Sequence, residues 1–275
     1  MSASPATGPA AGKGAEPLVD RSYPPIVTMT QAAFRGLRLR LEITGTEHIP
    51  LTGGAVLAAN HTGFMDFTFV GAAADERERL VRFMCKREVF DNPVAGPIMR
   101  SMHHISVDRD AGSGSFAASL RMLKAGELVG IFPEGTISRS FEPIDFRSGA
   151  TALAAAAGVP LLPVAIWGSQ RVWTKARTKG LSLRPIPILV AVGEPMRFER
   201  RQDHEVATEL VRERITSMLH ELQARYPDQP RNAADSWWLS ARLGGGAPDP
   251  EQAREIERER KLRKQQKSQG KHRSG

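Results

Sequence analysis

Short apolar runs alternate with amphipathic stretches along most of this 275-residue chain, and no other feature restricts its fold as much. The runs are bounded by glycine or charged residues, which is typical of strands rather than helices. They begin with the strictly alternating Leu39, Leu41 and Ile43 and continue at residues 55–59, 81–85, 105–107, 128–132, 161–166 and 188–192. Strands separated by helices build a mostly parallel sheet with helices on both faces, so the sequence predicts an α/β domain with a sheet of about seven strands.

Between these runs, apolar residues recur with the spacing of amphipathic helices. The predicted helices lie at residues 67–74, 89–102, 116–124, 151–157 and 204–225. Before the first strand, Ile26, Met29, Ala33 and Leu37 recur at helical spacing and predict an amphipathic N-terminal helix. Two interpretations of this helix stay open: it packs on the domain, which we favour, or it lies in a membrane interface with its basic face on lipid phosphate.

Composition divides the chain into three segments. Residues 1–22 are rich in Ala, Gly, Ser and Pro and are expected to form a flexible N-terminal lead, followed by a single domain over residues 23–228. Residues 229–275 form a polar, basic C-terminal tail with few large apolar side chains, which is predicted to be disordered or a frayed helix. Trp237 and Trp238 either anchor this segment at a membrane interface or, as we favour, pack back on the domain.

The net charge of +8 and the isoelectric point near 10.0 call for an anionic partner. Nucleic acid and an acidic membrane surface both fit, and composition does not choose between them. Residues 251–275 carry nine Lys or Arg against four Glu but no interleaved aromatic residues, which disfavours a nucleic-acid-binding module. This tail either contacts anionic lipid headgroups or only keeps the protein soluble.

Cysteine content and hydropathy bear on the compartment. Cys85 is the only cysteine of the sequence, which excludes an internal disulfide or a multi-cysteine metal site and suits a reducing cytoplasm. No apolar stretch reaches the roughly 18 residues that span a bilayer, and residues 1–18 lack the apolar centre of a signal peptide. We therefore expect a cytoplasmic protein.

The most informative polar pair is His61 and Asp66, which follow the apolar run at residues 55–59. A neutral imidazole takes a proton from an alcohol, and a carboxylate on its other nitrogen fixes the tautomer and stabilises the imidazolium. On a continuous helix this spacing turns the side chains about 140° apart, so the pair needs a strand-to-helix turn, which Gly63 permits. His61 would then lie at the carboxyl end of a strand, where open α/β sheets bind ligands. The alternative is an isolated loop histidine beside an aspartate that merely begins a helix.

Three further segments follow in order: HHISVDR at residues 103–109, FPEGT at residues 132–136 and VPLLPV at residues 159–164. Together with NHTGFMD at residues 60–66, they resemble the four motif blocks of the 1-acylglycerol-3-phosphate acyltransferase family. The resemblance extends over roughly residues 26–225 and implies that family's α/β fold.

Two positions depart from the pattern of this family. His103 replaces a glycine that opens the second block, and Ile137 replaces an arginine that follows FPEGT. Arg139, two residues further on, is expected to stand in for that arginine. The departures leave the His–Asp pair intact and leave the identity of the acceptor open.

The resemblance implies an acyl-transfer chemistry for the pair. His61 is expected to act as general base on the free hydroxyl of a lysophospholipid, in the first place lysophosphatidic acid, while Asp66 orients the imidazole. The oxygen then attacks the thioester of acyl-coenzyme A or acyl carrier protein, which gives phosphatidic acid without an acyl-enzyme, a cofactor or a metal. We therefore expect an O-acyltransferase of phospholipid synthesis that is peripheral on the inner face of the cell membrane and contacts its anionic surface.

The resemblance also implies where the acceptor binds. Arg109 is expected to grip its phosphate bidentately and Lys86 to add a point charge, since both follow predicted strands. Glu134 is expected to accept a hydrogen bond from an acceptor hydroxyl or to hold an arginine, and Gly135 to allow close backbone approach. Arg139 is a further candidate for the phosphate.

Other enzyme classes fit the residues less well. A serine hydrolase is disfavoured because the sequence has no Gly-x-Ser-x-Gly elbow. A metal enzyme that uses His61, His103 and His104 stays open, although adjacent histidines point to opposite sides of a strand. Within the acyltransferases, the alternative acceptor is another lysophospholipid or a glycolipid.

Overall fold

A seven-stranded sheet forms the centre of the protein. The structure, a computed structural model, describes residues 23–108, 113–175 and 184–273. The strands are β1 (Leu39–Thr44), β2 (Ala55–Ala59), β3 (Val81–Lys86), β4 (Ile105–Val107), β5 (Leu128–Ile131), β6 (Leu161–Trp167) and β7 (Ile186–Val192). Their order is β1-β7-β6-β2-β5-β3-β4, and all neighbouring pairs of these strands are parallel except β6–β7. The predicted α/β domain with a mostly parallel sheet is confirmed.

Helices connect these strands. They are α1 (Tyr23–Gly36), α2 (Asp66–Asp75), α3 (Arg87–Phe90), α4 (Ala95–Ser101), α5 (Ser113–Lys124), α6 (Gly149–Ala157), α7 (His204–Ala224) and α8 (Pro250–Arg273). Short 3₁₀ helices lie at Thr46–His48, Ser169–Arg171, Ala233–Trp238 and Ala241–Leu243. None of the helices in the described ranges combines the length and hydrophobicity needed to span a bilayer.

One predicted helix, over residues 89–102, is divided into α3 and α4. Asn92 causes the break, because its side-chain oxygen accepts hydrogen bonds from the N–H groups of Val94 and Ala95. Pro93, which follows, has no N–H with which to continue a helix. The other predicted helices occur close to their predicted bounds.

Helices cover both faces of the sheet because its central strands are apolar throughout. Every residue of β2 is buried, and its successive side chains belong to different cores. Leu57 lies in the core that contains Phe34 of α1 and Phe69 of α2. Val56 lies in the core that contains Leu153 of α6 and residues of α7. A strand buried on both faces exposes no side chain along its length, so its polar groups come at its ends.

Helix α1 packs on the domain through residues near its two ends. The Tyr23 hydroxyl donates a hydrogen bond to the Val81 carbonyl at 2.7 Å, and the Phe34 ring stacks on Phe69. The apolar stripe predicted from helical spacing is not the buried side, since Met29 is 64% exposed. Aromatic rings decide the orientation because they bury more apolar area than the aliphatic residues of the stripe. The membrane-interface alternative for the exposed side of α1 stays a prediction.

The C-terminal segment contains α8, and a helix is one of the two alternatives that its composition left open. Trp238 is buried beneath the Arg171 guanidinium, which lies 4.4 Å from its ring centroid, and Trp237 packs beside it. The tryptophan pair therefore packs back on the domain. Ala253 of α8 is buried as well. The composition of the tail left both alternatives open because it counts only the tail's own side chains, whereas α8 packs on a surface that the domain provides.

Candidate active site

Polar side chains gather at one edge of the sheet, where β2, β3, β5 and β6 end. These four strands are parallel, so their carboxyl ends point the same way. Asn60 and His61 follow β2, Lys86 ends β3, and the FPEGT turn with Glu134 follows β5. The topology therefore brings together residues that lie far apart in the sequence.

His61 and Asp66 face each other across the turn between β2 and α2. Asp66 is the first residue of α2, and its Oδ2 lies 2.9 Å from His61 Nδ1. The same oxygen accepts hydrogen bonds from the N–H groups of Thr62 at 2.7 Å and Gly63 at 2.9 Å. Because Asp66 Oδ2 already accepts two N–H groups, it also acts as the acceptor in its contact with His61. His61 Nδ1 therefore carries a proton, and Nε2 keeps a lone pair. The imidazole is thus held in the tautomer that a general base needs.

The turn that carries His61 is fixed from several sides. The His61 N–H donates to Glu134 Oε1 at 2.8 Å, and the His61 carbonyl accepts from the Ser138 N–H at 2.7 Å. Thr174 Oγ1 donates to the Thr62 carbonyl at 2.7 Å. The His61 ring stacks on Phe132 with centroids 4.2 Å apart, yet its side chain remains 19% exposed. One part of the imidazole is therefore open to a substrate while the rest is held in place.

The Asn60 side chain continues the hydrogen bonding between β2 and β6 by one residue before this turn begins. Its side-chain NH₂ donates to the Ile166 carbonyl at 3.0 Å, and its side-chain oxygen accepts the Ile166 N–H at 2.7 Å. The amide thereby replaces the backbone partner that β6 would otherwise lose at the end of β2. The sequence predicts no separate role for this asparagine, and the structure makes it the residue that fixes where the turn starts.

Glu134 is buried and holds the backbone of the site. Its two carboxylate oxygens accept the N–H groups of His61 at 2.8 Å and Ile144 at 3.4 Å. The described protein partners of Glu134 are thus backbone groups, and the predicted hydrogen bond from an acceptor hydroxyl stays a prediction. Burial raises the pKa of Glu134 to about 8; the two hydrogen bonds oppose this shift, and the nearby Asp66 adds to it. Gly135 follows with a φ of 63°, a left-handed conformation that glycine adopts without strain.

We expect Glu134→Gln to change how the free energy of unfolding depends on pH. The pKa of Glu134 is about 8 in the fold against an ordinary value of 4.5, so the folded protein holds an extra proton between these pH values. Wild-type stability relative to the glutamine variant is therefore greatest below pH 4.5 and declines until about pH 8, by at most a few kcal/mol. Denaturant unfolding of both proteins across this pH range measures the difference. Parallel stability curves would show that Glu134 titrates in its ordinary range.

The predicted phosphate-binding residues lie at the same edge, as far as the structure describes them. Lys86 is exposed at the end of β3, within electrostatic reach of Lys175. Arg139 donates from Nη1 to the Lys175 carbonyl at 3.4 Å, and its Nε is buried without a partner in the described ranges. Ile137, which replaces the family arginine, is buried, so Arg139 carries the positive charge of this turn. Arg109 lies outside the described residues, and its role stays a prediction.

Lys175 is a residue of the site that the sequence analysis missed. Its Nζ donates to Thr136 Oγ1 of the FPEGT turn and forms an ion pair with Glu257 Oε1 at 2.9 Å. Burial lowers the pKa of Lys175; the pairing with Glu257 opposes this shift, and the charges of Arg260 and Lys86 add to it. No motif marks this lysine in the sequence. It reaches the site because the preceding threonine bonds the turn that carries the imidazole.

His104 packs in the core instead of contributing to a metal site. Its Nδ1 accepts the Phe83 N–H at 3.1 Å. Burial lowers the pKa of His104 to about 4, and the charges of Arg82 and His103 add to this shift. Among the residues that the structure describes, no three His, Cys, Asp or Glu side chains are grouped to hold an ion. The alternative of a metal site built on three histidines is therefore not realised there.

The fold and the His–Asp pair agree with one class of enzyme. A family model described as Acyltransferase matches residues 40–167. The matched segment runs from β1 to β6 and contains His61, Asp66, Lys86 and the FPEGT turn. The protein is an O-acyltransferase.

Similar proteins indicate the family within the class of O-acyltransferases to which the chain belongs. The 1-acyl-sn-glycerol-3-phosphate acyltransferase of Bacillus subtilis is 30% identical over 164 residues, which cover 58% of this chain and 75% of the relative. The enzyme of the same name from Limnanthes douglasii is 31% identical over 57% of this chain and 54% of the relative. An uncharacterized protein of Mycobacterium tuberculosis is 31% identical over 57% of this chain, which spans about half the length of that relative (47%). The chain belongs to the 1-acyl-sn-glycerol-3-phosphate acyltransferase family.

A solved structure shares the architecture. The crystal structure of the 1-acyl-sn-glycerophosphate (LPA) acyltransferase PlsC from Thermotoga maritima aligns with a TM-score of 0.62 at 25% sequence identity. The alignment covers 74% of this chain and 81% of that chain. The predicted α/β fold is thereby supported by a solved relative as well as by the sheet described above.

Proposed function

We propose that this acyltransferase moves a fatty acyl group from acyl-coenzyme A or acyl carrier protein to the free hydroxyl of lysophosphatidic acid, which gives phosphatidic acid. The observation that carries the proposal is the orientation of His61. Asp66 Oδ2 accepts its Nδ1 proton at 2.9 Å, so Nε2 presents a lone pair at the edge of the sheet where ligands bind. The names of the relatives from Bacillus subtilis and Thermotoga maritima support this acceptor.

The proposed reaction needs one base and no covalent intermediate. His61 Nε2 takes the hydroxyl proton while the acceptor oxygen bonds to the thioester carbonyl carbon, which forms a tetrahedral oxyanion. The oxyanion collapses as the C–S bond breaks, and the imidazolium returns its proton to the departing thiolate. The products are an ester and a free thiol. Asp66 stabilises the imidazolium between these steps, and the acceptor hydroxyl takes the part that a serine plays in a hydrolase triad.

The phosphate of the acceptor is proposed to bind beside this pair. Lys86 and Arg139 supply positive charge at the same edge of the sheet, and Arg109 is added on the strength of the resemblance alone. Guanidinium groups bind two phosphate oxygens at once, which fixes the orientation of the headgroup. Because His103 and Ile137 depart from the family pattern, another lysophospholipid or a glycolipid is the alternative acceptor.

We further propose that the protein meets its lipid acceptor at an anionic membrane surface, as a peripheral protein on the cytoplasmic side. The net charge is +8, and α8 exposes basic residues such as Arg258 and Arg263. Each basic side chain close to an anionic surface contributes about 1 kcal/mol. Val94 and Ile98, between β3 and β4, are exposed and offer an apolar contact.

Thiol release from an acyl-coenzyme A, with and without lysophosphatidic acid, tests these proposals. We expect acceptor-dependent release, and a higher rate when the acceptor is presented in phosphatidylglycerol vesicles than in neutral phosphatidylcholine vesicles. Release with only another lysolipid or a glycolipid would retain the proposed chemistry and change the proposed acceptor. The same assay with acyl carrier protein as donor tests which thioester the enzyme uses. If no thiol release is detected with any of these donors and acceptors, the proposal is wrong, and a binding function is favoured for the basic surface.

A further inference from the structure

Helix α8 reaches the edge of the sheet that carries the His–Asp pair, and one of its side chains enters the site. Glu257 Oε1 lies 2.9 Å from Lys175 Nζ, and both side chains are only 13% exposed. By contrast, Glu255 and Glu259 of the same helix are 58% and 57% exposed. Helix α8 therefore turns one carboxylate inward, against a lysine that lies in no motif.

Lys175 is connected to the turn that presents the imidazole. Its ammonium group donates to Thr136 Oγ1, and Thr136 comes two residues after Glu134, which accepts the His61 N–H. On the other side, Thr174 bonds the carbonyl of the residue that follows His61. These contacts place the lysine against both segments that position the proposed general base.

The ion pair lies in an excess of positive charge. Arg139 donates to the Lys175 carbonyl, and the charges of Lys86 and Arg260 act on the Lys175 ammonium. In the described part of the chain, Glu257 supplies the carboxylate that pairs with Lys175 at 2.9 Å. A phosphate group with about two negative charges would neutralise such a cluster better than one carboxylate does.

We propose that Lys175 binds a phosphate group of a substrate, and that the Glu257 carboxylate occupies that position until the substrate arrives. The inference rests on the acyl transfer proposed above. Carboxylate and phosphate oxygens are both acceptors for an ammonium group, so they compete for the same donor. The displaced carboxylate keeps a partner, because Arg260 Nη1 lies 3.6 Å from Glu257 Oε1 on the same helix.

Either substrate can supply this phosphate. Lysophosphatidic acid carries such a phosphate in its headgroup, whereas coenzyme A carries one in the donor. The two sources are distinguishable because removing the competing carboxylate changes KM only for the substrate that binds in its place.

Glu257→Gln tests the inference, with Glu255→Gln as a matched control that removes the same charge from an exposed position of α8. If the carboxylate occupies Lys175 most of the time, its loss lowers KM for the phosphate-bearing substrate about fivefold and leaves kcat nearly unchanged. A lower KM for lysophosphatidic acid assigns the phosphate to the acceptor, and a lower KM for acyl-coenzyme A assigns it to the donor. Unchanged KM values for both substrates, or equal changes in the control, overturn the inference.

A double-mutant cycle separates competition from a purely structural role of the ion pair. Lys175→Met is expected to raise KM for the same substrate about tenfold, and Glu257→Gln in that background is expected to have no further effect. If Glu257 only holds α8 in place, Glu257→Gln raises KM and lowers thermal stability in both backgrounds, which contradicts the proposal.

Calorimetric titration with glycerol 3-phosphate and with coenzyme A applies the same test without turnover. Tighter binding of either probe by Glu257→Gln than by wild type and Glu255→Gln supports the inference. If no acceptor gives thiol release but one probe binds more tightly, the proposed function fails and the phosphate site stands. Equal binding of both probes by all three proteins overturns the phosphate site itself.

Discussion

His61→Ala is expected to lower kcat for acyl transfer by about three orders of magnitude. The substitution removes the lone pair that takes the hydroxyl proton, so a neutral hydroxyl must attack the thioester unaided. Alanine retains the N–H that donates to Glu134 and the carbonyl that accepts from Ser138, so the turn stays anchored. KM for both substrates is expected to change little, because the described contacts of the ring are with Phe132 and Asp66.

Initial rates of thiol release, with an unfolding curve for each protein, measure this effect. His48→Ala is the matched control, since His48 is also partly buried and its Nδ1 is hydrogen-bonded to the Val192 carbonyl. It lies at the opposite edge of the sheet, because β1 and β7 run antiparallel to β6 and β2. If His61→Ala keeps a rate within about tenfold of wild type, His61 is not the general base.

The strands and the His–Asp pair are predictable because their signals are local. An apolar run preceded by glycines marks β2, and the spacing of His61 and Asp66 requires the strand-to-helix turn that follows it. Their contact at 2.9 Å agrees with the turn that periodicity and spacing predict, and it excludes the alternative of an isolated loop histidine. The convergence of His61 with Glu134 is predictable for a second reason, since parallel strands end at the same edge of a sheet.

Other features of the site depend on contacts between distant segments. Lys175 and Glu257 are separated by 82 positions, and their pairing follows from where α8 packs, which the composition of the tail does not encode. The orientation of Glu134 is a similar case. The sequence does not indicate that the Glu134 carboxylate is buried and accepts backbone N–H groups from two separate segments.

Asp66→Asn is expected to lower kcat by about two to three orders of magnitude, although it alters few contacts. Asp66 Oδ2 accepts three hydrogen bonds, whereas Oδ1 is buried without a partner in the described part of the chain. The amide oxygen of asparagine must take the Oδ2 position, because an NH₂ group there would face three donors. The tautomer of His61 is therefore retained. What the variant loses is the negative charge that stabilises the imidazolium during the transfer.

Comparison of Asp66→Asn with Asp66→Ala separates this charge from mere positioning. Alanine leaves the N–H groups of Thr62 and Gly63 without their acceptor, so it lowers the free energy of unfolding by about 1–3 kcal/mol. Asparagine keeps that acceptor and the geometry of the turn. If the charge is what accelerates the reaction, both variants show a similarly low kcat in the thiol-release assay.

A control for the loss of one negative charge is available on α2, the helix that Asp66 begins. Asp75, at the other end of α2, accepts a hydrogen bond from Gln31, and Asp75→Asn removes one charge from the helix at a distance from the imidazole. We expect this variant to retain wild-type kcat. If Asp66→Asn also retains it while Asp66→Ala does not, the carboxylate acts only as a hydrogen-bond acceptor for the turn. The transfer then proceeds without electrostatic stabilisation of the imidazolium, and the mechanism proposed for the pair is wrong in that step.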